Sequence, residues 1–109
     1  MMSLRRKIAE SFRLDEVGYV TDESIIEIER LIDLDHGVSV LEGEYDAVLV
    51  TLDEKLKEGE RALGYIFKDK SIWKRASGDF TSTTVINQIA VPVDGLKLAY
   101  TKSTRYLVI

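Results

Sequence analysis

The eight residues YDAVLVTL at positions 45–52 decide the fold. Alternate side chains of a strand point to opposite faces, and here both sets are mostly apolar: Ala47 and Leu49 on one, Val48, Val50 and Leu52 on the other. A strand apolar on both faces is read as central in its sheet and covered from both sides. Everything else in the chain has to be arranged around it.

Downstream, the period stays near two. Leu63–Lys68 is aromatic and apolar enough for a strand, with Ile72–Arg75 as its continuation or partner, and Ser77-Gly78-Asp79 marks a turn. Thr81–Val93 is rich in Thr, Val and Ile and reads as one long strand. Pro92 cannot donate to a ladder, which places that end at an edge or a turn. Asp94-Gly95 is a hairpin signal, and Leu96–Thr101 and Arg105–Ile109 follow as strands joined near Lys102-Ser103. The apolar end Tyr106–Ile109 either pairs within the sheet or adds to a neighbouring subunit's edge. Between Gly37 and the central strand, Val38–Leu41 reads as a strand closed by a turn at Glu42-Gly43-Glu44. The same tripeptide pattern at Glu58-Gly59-Glu60 suggests a second hairpin.

Upstream, the period is helical. Leu4, Ile8 and Phe12 recur every fourth residue over 4–14, with Ser3 available as cap. Arg5, Arg6 and Lys7 crowd the first turn, where the helix dipole prefers anions, so a partly frayed helix with its long side chains in solvent is expected. In the second helix Thr21 or Asp22 caps, Ile25, Ile28, Leu31 and Ile32 form the apolar stripe with Ile26 and Leu34 on its flanks, and Gly37 terminates. The expectation is a single α+β domain over 1–109: two N-terminal helices on one face of a curved antiparallel sheet of about six strands, a meander or roll with room for a cavity beneath the helices.

Composition narrows the function classes. The chain has 109 residues, net charge −4, one His and no Cys. Thiol nucleophiles, thiolate zinc sites and disulfide scaffolds are excluded. The apolar runs are too short to span a membrane, and no signal-peptide h-region follows the basic N-terminus, so a cytoplasmic location is expected. Charge is unevenly spread: residues 1–13 carry net +3, residues 14–60 net −12 and residues 61–109 net +5. Acidic and basic segments then either face each other across the fold or meet across a dimer.

No motif identifies a chemistry. Gly-x-Ser-x-Gly and the phosphate-binding glycine loops are missing. His36 follows Asp33 and Asp35, but carboxylates two apart on a helix diverge, and an imidazole near a helix C-terminus is a capping residue first. No cofactor, metal or catalytic residue is therefore expected. Two surfaces remain as binding candidates. One is the acidic helix side, Glu23, Glu27 and Asp33. The other is the basic aromatic region, Lys68, Lys70, Trp73, Lys74 and Arg75, where Tyr65 and Phe67 interleave as in a single-stranded nucleic-acid platform. Asn87-Gln88 interrupts an apolar strand, so one of the two amides should face the covered side, where a ligand could satisfy it.

These features point to a small interaction protein, not an enzyme, that contacts another protein or a second copy of itself as a homodimer. A cavity-based ligand binder or small enzyme, walled by groups such as Asn87, Tyr65 or Tyr100, is the alternative. Nucleic-acid binding through 61–75 is a further one.

Overall fold

The computed structural model describes residues 3–11, 21–52, 56–93 and 95–109. The first helix, α1 (Leu4–Ser11), begins as expected: the Arg6 amide donates to the Ser3 hydroxyl at 3.2 Å. Leu4 and Ile8 are buried, whereas Phe12 lies outside the described residues. In α2 (Asp22–Leu34) the Ser24 amide donates to the Thr21 hydroxyl at 3.1 Å, and Asp22 and Glu23 occupy the first turn. Ile28 and Ile32 are fully buried, Ile25 and Leu31 partly, and Ile26 and Leu34 face solvent.

Gly37 does not end α2; Asp35 does. Its backbone turns extended (φ −77°, ψ 123°), and its carboxylate accepts the Val38 amide at 3.0 Å to open a further short helix, α3 (His36–Val40). The expected strand at Val38–Leu41 is thus helical. Val38 and Leu41 are three apart and both buried, a spacing that suits one helical turn, and the capping carboxylate decides between the two conformations. The turn at Glu42-Gly43-Glu44, with Gly43 at φ +88°, therefore joins a helix to a strand.

Six strands follow: β1 (Ala47–Thr51), β2 (Leu63–Phe67), β3 (Phe80–Ser82), β4 (Gln88–Val93), β5 (Leu96–Tyr100) and β6 (Arg105–Val108). They form one sheet in the order β3-β2-β1-β6-β5-β4. β1 is central and buried along its whole length, as its two apolar faces require. The sheet is not a simple meander, however. Two three-stranded antiparallel halves meet at a parallel pair, β1 with β6, in register Ala47↔Tyr106, Val48↔Leu107 and Leu49↔Val108. The apolar C-terminal segment is thereby used at the sheet's centre. Ile72–Arg75 belongs to no strand and forms part of a loop.

The expected long strand Thr81–Val93 is two strands on opposite edges. Residue propensity specifies extended backbone but not a neighbour. Laid flat, six strands would put the edges ~24 Å apart. The six Cα steps from Ser82 to Gln88 reach at most ~22 Å, so the sheet curls toward the face that this segment crosses. Hydrogen bonds hold the crossing: Thr83 N–H to Ala62 O (2.9 Å), Ile86 N–H to Glu60 O (2.9 Å) and Asn87 N–H to Tyr100 O (2.8 Å).

Two cores result. On one face the helices cover Val48, Val50, Tyr65, Phe67, Leu98 and Leu107. On the other, Ile86 from the crossing plugs a cluster of Ala47, Leu49, Ile66, Ala99 and Tyr106. Pro92 sits, as expected, on an edge strand, next to a register shift between Ala90 and Val93. The β4–β5 hairpin also matches, with Gly95 at φ +82° and Asp94 outside the described residues.

Both ends of the parallel pair are clamped by arginine. At its start the Arg105 amide donates to Asp46 Oδ2 at 2.8 Å, and the Arg105 guanidinium reaches Asp46 Oδ1 at 3.0 Å. Those bonds hold the Asp46 carboxyl below its ordinary pKa. At its far end Arg5 Nη1 donates to Thr51 O (2.8 Å) and Ile109 O (2.9 Å), tying α1 to both strands. Arg5 is thus not one of the solvated side chains expected of a frayed helix.

Two stability predictions follow from this packing. A Cβ on Gly64 would lie 2.3 Å from the Val50 carbonyl oxygen and 2.9 Å from Thr51 Cα, both backbone of the central strand. Gly64→Ala is expected to cost about 3 kcal/mol, read as a lowered denaturation midpoint. Arg5→Met keeps the apolar stem and removes the donors. It should cost about 2 kcal/mol and raise hydrogen exchange in α1 before the sheet.

Candidate functional site

β2 and β3 are joined by a loop that begins at Lys68, φ +51°, and contains a second non-glycine residue in the left-handed region, Lys74 at φ +44°. Such conformations persist only where surrounding bonds over-determine them. Here Asp69 supplies the bonds. Its side chain is completely buried. Oδ1 accepts the Ser71 amide at 2.9 Å; Oδ2 accepts the Arg75 amide at 3.0 Å and Arg75 Nε at 2.8 Å. Arg75 in turn donates to Thr81 Oγ1 (3.2 Å) and the Tyr106 hydroxyl (3.1 Å), with its guanidinium 5.5 Å from the Tyr106 ring centre. The Lys70 amide is tied to Asp46 O at 2.7 Å. The loop is therefore wound around one carboxylate and fastened to the sheet at both ends.

Its tip carries Ile72 and Trp73, 86% and 60% exposed. Lys70 and Lys74 beside them are exposed and make no ion pair among the described residues. A cleft lies on each side of the loop. The one toward the helices holds about 380 Å³, with Ile32, Val38 and Tyr45 as apolar wall and Asp33, Lys68 and Lys70 at its rim. The one toward β6 holds about 340 Å³, between Trp73, Arg75, Thr84, Ser103 and Tyr106. Burial, with Glu42 nearby, pushes the Tyr45 phenol up.

The sequence-derived candidates are only partly brought together. Lys68, Lys70, Trp73, Lys74 and Arg75 share the loop, and Asp33 joins them by an ion pair with Lys68 across to α2. Oppositely charged segments thus do face each other within the fold at this point. Glu27 pairs instead with Arg30 at 2.6 Å, and Glu23 is exposed near the start of α2. Tyr65 and Phe67 are buried in the helix-side core, so they cannot stack with Trp73 as a platform. Asn87 and Gln88 are both exposed, contrary to the expected alternation, because Asn87 lies where the crossing segment meets an edge strand. Asp33 is committed to Lys68 and the Asp35 carboxylate to the Val38 amide. Among the described residues no group of three or more His, Asp or Glu side chains is placed to hold a metal ion.

Sequence reasoning missed Asp69 and Ile72. The Asp69-x-Ser71 spacing is that of a side chain bonding the backbone two residues on, and that signal was available. Nothing local announced that Ile72 would stay exposed. Comparison of the chain with protein-family models, curated proteins and solved structures finds no match.

Burial pushes the Asp69 carboxyl up, but hydrogen bonds from Ser71 and Arg75 outweigh it and bring the pKa down to about 2. An unfolded Asp titrates near ~3.9. A depressed pKa contributes stability above the unfolded value, and that contribution is lost as pH falls through the folded one. On the order of 2 kcal/mol should thus disappear between about pH 4 and about pH 2. Trp73 is the sole tryptophan, so its fluorescence reports the loop directly. Asp69→Asn should loosen the loop at neutral pH, seen as lower Trp73 anisotropy, and remove the acid transition.

Proposed function

We propose that this chain is a binding protein without catalytic apparatus, acting in the cytoplasm through protein–protein contacts made by the loop 68–75. The observation that carries the reading is the exposure of Ile72 and Trp73 on a backbone fixed by the buried Asp69 and Arg75. Large apolar side chains, tryptophan above all, supply most of the energy at protein contacts. A loop already held in one conformation loses little entropy on binding, and more of that energy becomes affinity. Lys70 and Lys74 favour an acidic rim on the partner and set the salt dependence of association.

Other readings have less behind them. A nucleic-acid platform would retain only Trp73 of its three rings, with Lys68 and Arg75 already neutralised by Asp33 and Asp69. A small-ligand site in either cleft beside the loop would lack the expected walls, since neither is lined by Tyr65, Tyr100 or Asn87.

Selection of binding peptides and protein fragments on the wild-type chain tests the reading, with Ile72→Ser and Trp73→Ala as controls. Both residues are exposed, so the fold should survive. Selected binders should weaken at least about tenfold on either variant. Binders indifferent to both substitutions would remove the loop from consideration. Salt-sensitive retention of single-stranded DNA or RNA that Trp73→Ala with Lys74→Ala abolishes would replace this reading with the nucleic-acid one.

A further inference from the structure

The solvent side of α2 carries an unusual pair. Ile26 and Leu34 are each 69% exposed, set among Asp22, Glu23, Glu27 and Arg30. Arg30 is taken by Glu27, and Asp22 and Glu23 make no ion pair among the described residues, so the face is apolar with net negative charge. The tip of the loop 68–75 has the same make-up with the sign reversed: Ile72 and Trp73 between Lys70 and Lys74. Each patch has what the other lacks.

The elements that carry the two patches meet at one point, the ion pair of Lys68 at the loop's start with Asp33 on α2. The patches do not cover each other within one molecule: Ile26, Leu34, Ile72 and Trp73 all stay exposed, and the loop is pinned around Asp69 and to Asp46. A surface that carries two complementary patches is self-complementary about a two-fold axis: each copy places its loop on the other's helix, and the assembly closes at two. We propose that the occupant of the α2 face is the loop 68–75 of a second copy of this chain. The proposal rests on the reading of that loop as a protein contact and adds the identity of the partner.

The test is the mass of the full chain in solution by sedimentation, from micromolar to millimolar concentration and at low and high salt. A dimer that weakens with salt is expected. Lys70→Glu with Lys74→Glu should make it monomeric, and so should Glu23→Lys with Glu27→Lys, each variant keeping the wild-type circular dichroism. Mixed in equal amounts, the two monomeric variants should form a heterodimer, because both contacts regain opposite signs. Ile26→Ser, which changes no charge, should weaken the wild-type dimer about tenfold. A dimer untouched by either charge reversal, or two variants that stay monomeric when mixed, overturns the pairing. A wild-type chain that is monomeric up to millimolar concentration also overturns it. The contact role of the loop would still stand in that case, provided that selected binders depend on Trp73.

Discussion

Parallel neighbours at the centre of a small sheet impose a topological demand. β1 and β6 lie side by side and point the same way, yet four strands and the loop 68–75 separate them in sequence. Closing so long a segment costs chain entropy before any contact within the pair is gained. Each end of the pair is met by a guanidinium, Arg105 on Asp46 at the start and Arg5 on the Thr51 and Ile109 oxygens at the far end. Charge-assisted bonds of that kind are among the strongest a fold can place at a strand end. Arg5 does more, since it also fixes α1 and so the roof over the helix-side core.

The same pairing dictates the other face. With β1 and β6 adjacent, β3 and β4 must occupy opposite edges, and the chain between them has to cross the sheet. Ile86 then becomes a core residue although it lies in no strand. The loop between β2 and β3 is left outside both cores. Its order comes from polar bonds to Asp69, which is how it can display Ile72 and Trp73 without a hydrophobic layer beneath them.

Much of the local structure was legible. The double apolar alternation in Ala47–Thr51, the caps at Ser3 and Thr21, the edge position of Pro92 and the hairpin at Gly95 all follow from short-range rules. The candidate site was legible in part. The basic loop and the acidic helix were both singled out, and the structure joins them at Lys68 and Asp33. Misreadings arose where two local rules competed. Val38 and Leu41 satisfy helix as well as strand, and the Asp35 cap settled it. Asn87 was expected to follow strand alternation, but it lies at the end of a crossing where no ladder enforces that alternation.

By itself the sequence determined most of the helical and extended segments, Val38–Leu41 and Ile72–Arg75 excepted, and which side chains of the central strand share a face, because sterics and alternation act over a few residues. Only the tertiary structure decided that β6 lies beside β1, that Thr81–Val93 is shared between two edges, and that Arg5 and Asp69 are anchors, not solvated charges. Each of those outcomes depends on what another part of the chain brings to within hydrogen-bonding distance. Propensity is silent on that, because any extended backbone offers the same donors and acceptors to every possible neighbour.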